Sequence, residues 1–163
     1  MHLTIALLNR NGLEGVCEGL TLVSSLLSTF WPTVHPQLDP EDNDDPTMRI
    51  TALSALTAPT VLASLRTTAV VRAQALGIAA LRDLSSVQGE AALDAATLEG
   101  IFQSVDLAAL EGAIGFLSQC SAQLARIDQT FEERTGSRGP ESDAAFAHIS
   151  RRAAVRHAAL GQS

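Results

Sequence analysis

Apolar residues recur at alternating spacings of three and four along most of this chain, and this periodicity constrains the fold more than any other feature. Such spacing places side chains on one face of an α-helix, and that face must be buried against other elements. Ala and Leu are frequent, and 46% of the residues are apolar against 18% charged, which favours ordered helices. The sequence therefore predicts an all-α protein. The clearest stripe consists of Leu13, Val16, Leu20, Val23, Leu27 and Phe30.

Glycine and proline set the predicted helix boundaries. Gly12 is expected to end a first helix in the left-handed conformation, and the next helix should end at Phe30 or Trp31, before Pro32. Five residues predict further helix starts. Asp45, Asp94, Asp106 and Ser142 are suitable N-caps, and Pro59 suits the first helical position.

One segment breaks the helical pattern. Around residues 68–84, paired valines followed by Gly77 and Ile78 favour a single short β-hairpin, with irregular coil as the alternative. The predicted fold is thus a multi-helix domain of orthogonal or bundle-like arrangement with at most this one hairpin. We treat residues 1–163 as one domain, with a motif-bearing part at 1–90 and C-terminal helices at 94–161.

Charge and cysteine content exclude several classes of protein. The net charge is -7, whereas a phosphate backbone is bound by a basic face, so we expect no nucleic-acid partner. We find no signal peptide and no window of ~18 apolar residues, which predicts a cytoplasmic protein without membrane insertion. Cys17 and Cys120 each lie in an apolar helical stripe and are interpreted as buried, reduced thiols.

One short stretch is unusually rich in proline and acid: residues 30–49 read FWPTVHPQLDPEDNDDPTMR. A calcium loop of the EF-hand type needs glycine at its sixth position and glutamate at its twelfth, but counting from Asp39 those positions hold Asp44 and Ile50. Zinc needs three or four His or Cys ligands, and the stretch has only His35. It is therefore interpreted as a stiff connector with solvated acids.

No recognised catalytic pattern occurs in the chain. We find neither a nucleophile elbow nor a phosphate-binding or dinucleotide motif, and Cys17 lacks a setting that would mark a nucleophile. We therefore predict no catalytic residue, no cofactor and no metal site. A metal-dependent hydrolase using His35 and the neighbouring acids is the less favoured alternative.

Five motifs occur in order within residues 1–90: LTIALL at 3–8, GLEGVCEGL at 12–20, FWPTVHPQLD at 30–39, DPTMR at 45–49 and ALSAL at 52–56. Together they resemble the N-terminal domain of the ImpA/TssA family, cytoplasmic components of the bacterial type VI secretion system. The resemblance implies a non-enzymatic assembly or scaffold protein whose partners are baseplate, tail-tube or sheath proteins. The family signature, and with it the expected interaction surface, is carried over to Trp31, His35, Pro36, Asp39, Asp45, Pro46 and Arg49.

The resemblance also predicts how the proline-acid stretch is held. Trp31, Val34 and Leu38 should pin it to the helices, and Arg49 should pair with its acids. Family members carry further helices before the point at which this chain begins, so the resemblance implies that opening helices are missing.

Missing helices would leave an exposed apolar surface beside Leu3, Ile5, Leu7 and the stripe from Leu13 to Phe30, and would favour self-association. The alternatives are a generic helical adaptor or a non-functional truncated paralogue. Tail-sheath and tube genes beside this one would separate the secretion component from the generic adaptor.

Overall fold

The computed structural model of the chain describes residues 2–84 and 93–136. In chain order, its elements are α1 (His2–Phe30), α2 (Thr47–Ser54), α3 (Pro59–Thr67), β1 (Ala69–Ala73), β2 (Gly77–Ala80), the single-turn α4 (Leu81–Leu84), α5 (Ala95–Ser104) and α6 (Leu107–Thr135). The strands form one antiparallel hairpin. The predicted all-α class with one short hairpin is confirmed. The helix predicted from Ser142 lies outside the described residues.

Gly12 divides α1 into a first arm before it and a second arm after it. Its φ of +62° and ψ of -133° lie outside helical geometry, so the predicted break is confirmed. The two arms pack closely: a Cβ on Gly15 would lie 2.2 Å from the carbonyl oxygen of Leu7, and one on Gly19 would lie 2.9 Å from the Cα of Thr4. Only glycine at both positions allows the two backbones to approach so closely.

The second arm of α1 runs parallel to α6. The thiol of Cys17 donates to the carbonyl oxygen of Phe116 at 2.9 Å, and the hydroxyl of Ser24 donates to the side-chain oxygen of Gln123. Both bonds join residues 99 positions apart, so the two helices keep one offset along their contact. The buried residues of this seam include Leu13, Cys17, Leu20, Ser24 and Leu27 on α1, and Leu117, Cys120, Leu124, Ile127 and Phe131 on α6.

The seam departs from the predicted stripe near the end of α1. Ser24 and Trp31 are buried where Val23 and Phe30 were expected; Val23 is half-buried and Phe30 is 52% exposed. About five turns of 3.6 residues separate Leu13 from Trp31, so these two residues lie on the same helix face. The mean spacing of a strict three-then-four pattern is shorter than one helical turn. Each repeat therefore lies slightly further round the helix, and the last residues of the predicted stripe lie outside the buried face.

The buried side chains form two clusters. One joins the second arm of α1 to α2, α3 and the C-terminal half of α6, and it includes Leu20, Leu27, Leu53, Val61 and Ile127. The other joins the hairpin, α4, α5 and the N-terminal half of α6, and it includes Val71, Leu81, Ile101, Phe102 and Leu117. The axes of α5 and α6 differ by 111° across the short break between these two helices.

The last two described helices begin where the prediction placed them, but only Asp94 caps its helix through a side-chain hydrogen bond, and Asp106 makes none. Asp94 precedes α5 and accepts a hydrogen bond from the backbone N–H of Thr97 at 2.8 Å. α6 begins directly after Asp106 and ends at Gly136, whose φ of +66° is left-handed and whose N–H donates to the carbonyl of Glu132.

Cys17 and Cys120 are both buried and free of disulfide bonds, as predicted. The hydrogen bond with Cys17 and the burial of the site both raise the pKa of the Cys120 thiol above its ordinary value. The same hydrogen bond lowers the pKa of the Cys17 thiol, and both side chains pack in the core.

One stretch of the described residues, Thr47–Thr67, is long and apolar enough by composition to cross a membrane. α5 and α6 pass the same test as a bent pair. The sequence predicted no such window, so this finding departs from that expectation. A single stretch of this kind only weakly indicates a span, and here it is divided between α2 and α3.

Candidate functional site: the proline-acid loop

The proline-acid loop, residues 31–46, begins where α1 ends, and Trp31 anchors it to the core. Trp31 is buried, and its ring meets the ring of Phe131 edge-on, with 5.1 Å between centroids and 88° between planes. Val34 and Leu38 are half-buried against the same cluster. The predicted pinning of the loop by these three side chains is therefore confirmed.

Arg49 of α2 holds the loop from inside. Only 2% of the residue is exposed, and its Nε and Nη2 donate to the carbonyl oxygens of Pro36 at 2.7 Å and Val34 at 2.8 Å. Its Cζ lies 4.6 Å from the centroid of the Trp31 ring. The remaining nitrogen, Nη1, has no hydrogen-bond acceptor, so the aromatic face is the contact that stabilises the rest of the buried charge.

The prediction that Arg49 pairs with the acids of the loop is therefore wrong, because its hydrogen-bond partners are backbone carbonyls. Burial lowers the pKa of the Arg49 guanidinium, and the negative charge of Asp44 partly offsets this effect. The hydrogen bonds, however, go to backbone carbonyls. Arginine suits this position because its planar fork can serve two acceptors while its face stacks on an aromatic ring.

The acidic part of the loop is shaped by its own side chains. Asp39 accepts a hydrogen bond from the N–H of Glu41 at 2.9 Å and caps a 3-10 turn at Pro40–Asp42. Asp45 accepts bonds from the hydroxyl of Thr47 at 2.6 Å and from its N–H at 2.9 Å, and these bonds lower the pKa of Asp45. The N-cap of α2 is Pro46 rather than the predicted Asp45, although the Asp45 carboxylate accepts a hydrogen bond from the N–H of Thr47, the first residue of the helix. The acids order the turn that leads into that helix.

The loop separates its signature residues into an inner and an outer set. Trp31 and Arg49 are buried, and Pro36 and Pro46 are half-buried. The peptide bond before Pro36 is cis. The outer members are exposed; they are His35, Asp39 and Asp45.

The described residues hold no group of three or more His, Cys, Asp or Glu side chains placed to bind a metal ion. In the loop, Asp39 and Asp45 are engaged with backbone N–H groups, so two of the five acids serve the turn itself.

An apolar strip lies beside the loop, and the sequence analysis missed it. Leu22, Leu26 and Phe30 are 45%, 38% and 52% exposed and lie four residues apart on α1. Leu26 also lines a cavity of about 140 Å³ together with His35 and Pro36 of the loop. The signal was present, because this spacing defines a second helical stripe beside the buried one.

The exposed apolar surface expected beside the first arm and along the stripe from Leu13 to Phe30 is less extensive than predicted, because most of that stripe is buried against α6 and α3. Leu3 is 54% exposed, whereas Ile5 and Leu7 are half-buried. The exposed apolar area of α1 lies mainly on the strip Leu22, Leu26 and Phe30.

Residues 1–58, which include the loop and α2, match the protein-family model described as ImpA, N-terminal, type VI secretion system. This part of the chain belongs to the ImpA N-terminal family. It is also 34% identical over 132 residues to the type VI secretion system component TssA1 of Pseudomonas aeruginosa, an alignment that covers 78% of this chain and 38% of that relative. The chain therefore spans well under half the length of that protein. No solved structure is significantly similar to this chain.

Proposed function

We propose that this chain is a non-enzymatic, cytoplasmic scaffold component of a type VI secretion system. It binds a baseplate, tail-tube or sheath protein through one surface, made of the apolar strip and the outer members of the proline-acid loop. The observation that carries the proposal is the inner anchoring of that loop. Arg49 and Trp31 hold its backbone while His35, Asp39 and Asp45 remain exposed.

Such a preorganised loop suits binding because little conformational entropy remains to be lost on docking. The adjacent strip of Leu22, Leu26 and Phe30 supplies apolar area, and the cavity of about 140 Å³ beside Leu26 has room for a single side chain of a partner. The acids at the loop favour a partner with basic residues at its rim.

The state of the thiols supports a role without catalysis. The hydrogen bond between the two thiols lowers the pKa of Cys17 and raises the pKa of Cys120, and both residues are buried. A nucleophilic cysteine needs solvent access as well as a lowered pKa, and neither thiol has that access.

The binding surface is tested by Leu26→Asp in a pull-down of each baseplate, tube and sheath protein encoded with this chain. A carboxylate in the strip should weaken capture of the true partner by more than about tenfold, because a charge would then be buried in an apolar contact. A tenfold loss of affinity corresponds to about 1.4 kcal/mol. Leu107→Asp is the matched control, because Leu107 is 56% exposed on α6, away from the loop. Equal binding by both variants would count against this surface.

The cellular role is tested by deleting the gene and measuring secretion of the tube protein. We expect secretion to fall and to be restored by the wild-type chain but not by the Leu26→Asp variant. Unchanged secretion after deletion would instead favour a generic adaptor or a non-functional paralogue.

A further inference from the structure

A large groove lies at the other end of α1 from the proline-acid loop. Its volume is about 750 Å³, and its walls come from the Gly12 break, the end of α3, β1 and the first turns of α6. Gly112 of α6 lines the groove, and a Cβ added there would meet no atom within 4 Å. The groove is therefore open space with room for a polypeptide segment.

The groove is positively charged although the chain is acidic. Arg10 and Arg72 line it and are exposed, against a single acid, Glu14. Ala109, in the first turn of α6, also lines it, so the positive end of that helix dipole faces the same space. Within the described part of the chain, no hydrogen bond or ion pair occupies either arginine. The groove thus favours an anionic occupant.

The same chain carries a matching segment. All five acids of residues 39–45 are exposed. Their turn is ordered by Asp39 and by Asp45, so the segment is presented in one conformation. About 30 Å of helix separates this turn from the groove, given 1.5 Å per residue, so one copy cannot fill its own groove.

We propose that the groove binds the acidic turn, residues 39–45, of a second copy of this chain. Arg10 and Arg72 receive the carboxylates of Glu41 and Asp42, while Gly112 leaves room for the incoming backbone. The contact does not use the apolar strip, but its acidic turn includes Asp39 and Asp45 of the proposed partner surface, so a second copy competes with that partner for the turn.

Charge exchange tests the contact directly. Arg10→Glu with Arg72→Glu makes the groove acidic, and Glu41→Lys with Asp42→Lys makes the turn basic. Each double variant alone should associate more than about tenfold more weakly than the wild type, because like charges then face each other. An equimolar mixture of the two should associate again, since each groove then meets a turn of opposite charge.

The measurement is sedimentation velocity of the full chain in about 0.15 M salt, where the Debye length of about 8 Å screens the general repulsion between two acidic molecules. A steric pair provides the matched control. Gly112→Gln fills the groove and should abolish association, whereas Gly115→Gln should not, because Gly115 is equally open but does not line the groove.

Three results would overturn the proposal. The first is a wild-type chain that stays monomeric at about 1 mM, where even weak contacts are populated. The second is a charge-exchanged mixture that fails to associate although circular dichroism shows both variants folded. The third is association that Leu26→Asp abolishes and the groove variants leave unchanged, which would assign self-association to the apolar strip.

Discussion

The guanidinium carbon of Arg49 lies 4.6 Å from the centroid of the Trp31 ring, and both residues are almost fully buried. Phe131 of α6 meets the same indole ring edge-on. The end of α1, α2, α6 and the loop backbone are therefore joined around one cation–π contact. This arrangement explains how a loop rich in proline and acid keeps one conformation beside an apolar core.

Replacing Arg49 should destabilise the whole protein. Arg49→Met removes two hydrogen bonds from a buried charge, and we expect the free energy of unfolding to fall by about 3 kcal/mol. Arg49→Lys should recover little of this, because an ammonium group cannot reproduce the planar fork. Urea denaturation measures the effect, with the exposed Arg126→Met as control. Equal stability of the Met variant and the wild type would contradict the inner anchoring.

Trp31 should report its burial by fluorescence. It is the single tryptophan of the chain, so native emission should be blue-shifted and should move to that of free indole on unfolding. Trp31→Ala should cost about 3–5 kcal/mol of unfolding free energy. In a double-mutant cycle with Phe131→Ala, the coupling energy should be about 0.5–1.5 kcal/mol. Native emission already at the free-indole wavelength would refute the assignment.

Replacing glycine by alanine should lower the stability of the fold at Gly19 and raise it at Gly115. At Gly19 the added Cβ would lie 2.9 Å from the Cα of Thr4, so Gly19→Ala must push the arms of α1 apart and destabilise the fold. At Gly115 the added Cβ meets no atom within 4 Å, so Gly115→Ala should stabilise by about 0.5–1 kcal/mol through helix propensity. Thermal unfolding compares the two variants. A stabilised Gly19→Ala variant would rule out the close packing of the arms.

The cap of α5 should contribute stability that acid removes. Hydrogen bonds from the backbone N–H of Thr97 at 2.8 Å and from its hydroxyl at 3.0 Å lower the pKa of Asp94 below its ordinary 3.8. Because the folded-state pKa is the lower one, the stabilisation is present above the unfolded-state pKa and is lost as pH falls through the folded-state value.

Asp94→Asn tests this dependence, since asparagine keeps a capping oxygen but does not titrate. Between about pH 5 and pH 3, the free energy of unfolding should fall more steeply for the wild type than for the variant, because only the wild type loses the Asp94 carboxylate. Parallel curves from urea denaturation across that range would show that the Asp94 charge contributes nothing.

Several features of this protein were determined by the sequence alone because they depend on local rules. The helical class follows from the apolar periodicity, and the break at Gly12 and the stop at Gly136 follow from the freedom of glycine at positive φ. The capping role of Asp94 follows from a side chain that reaches the N–H group three residues ahead. Each of these features involves only near neighbours in the chain.

Other features were decided only by the tertiary structure. Arg49 bonds to the carbonyls of Val34 and Pro36 rather than to acids, because the loop backbone crosses its guanidinium while the acids are exposed. The exposed strip and the groove likewise depend on which faces α6 and β1 cover. Periodicity shows that a helix has an apolar face. Which part of that face is buried depends on contacts between elements that are distant in the sequence, and periodicity does not predict which elements make contact.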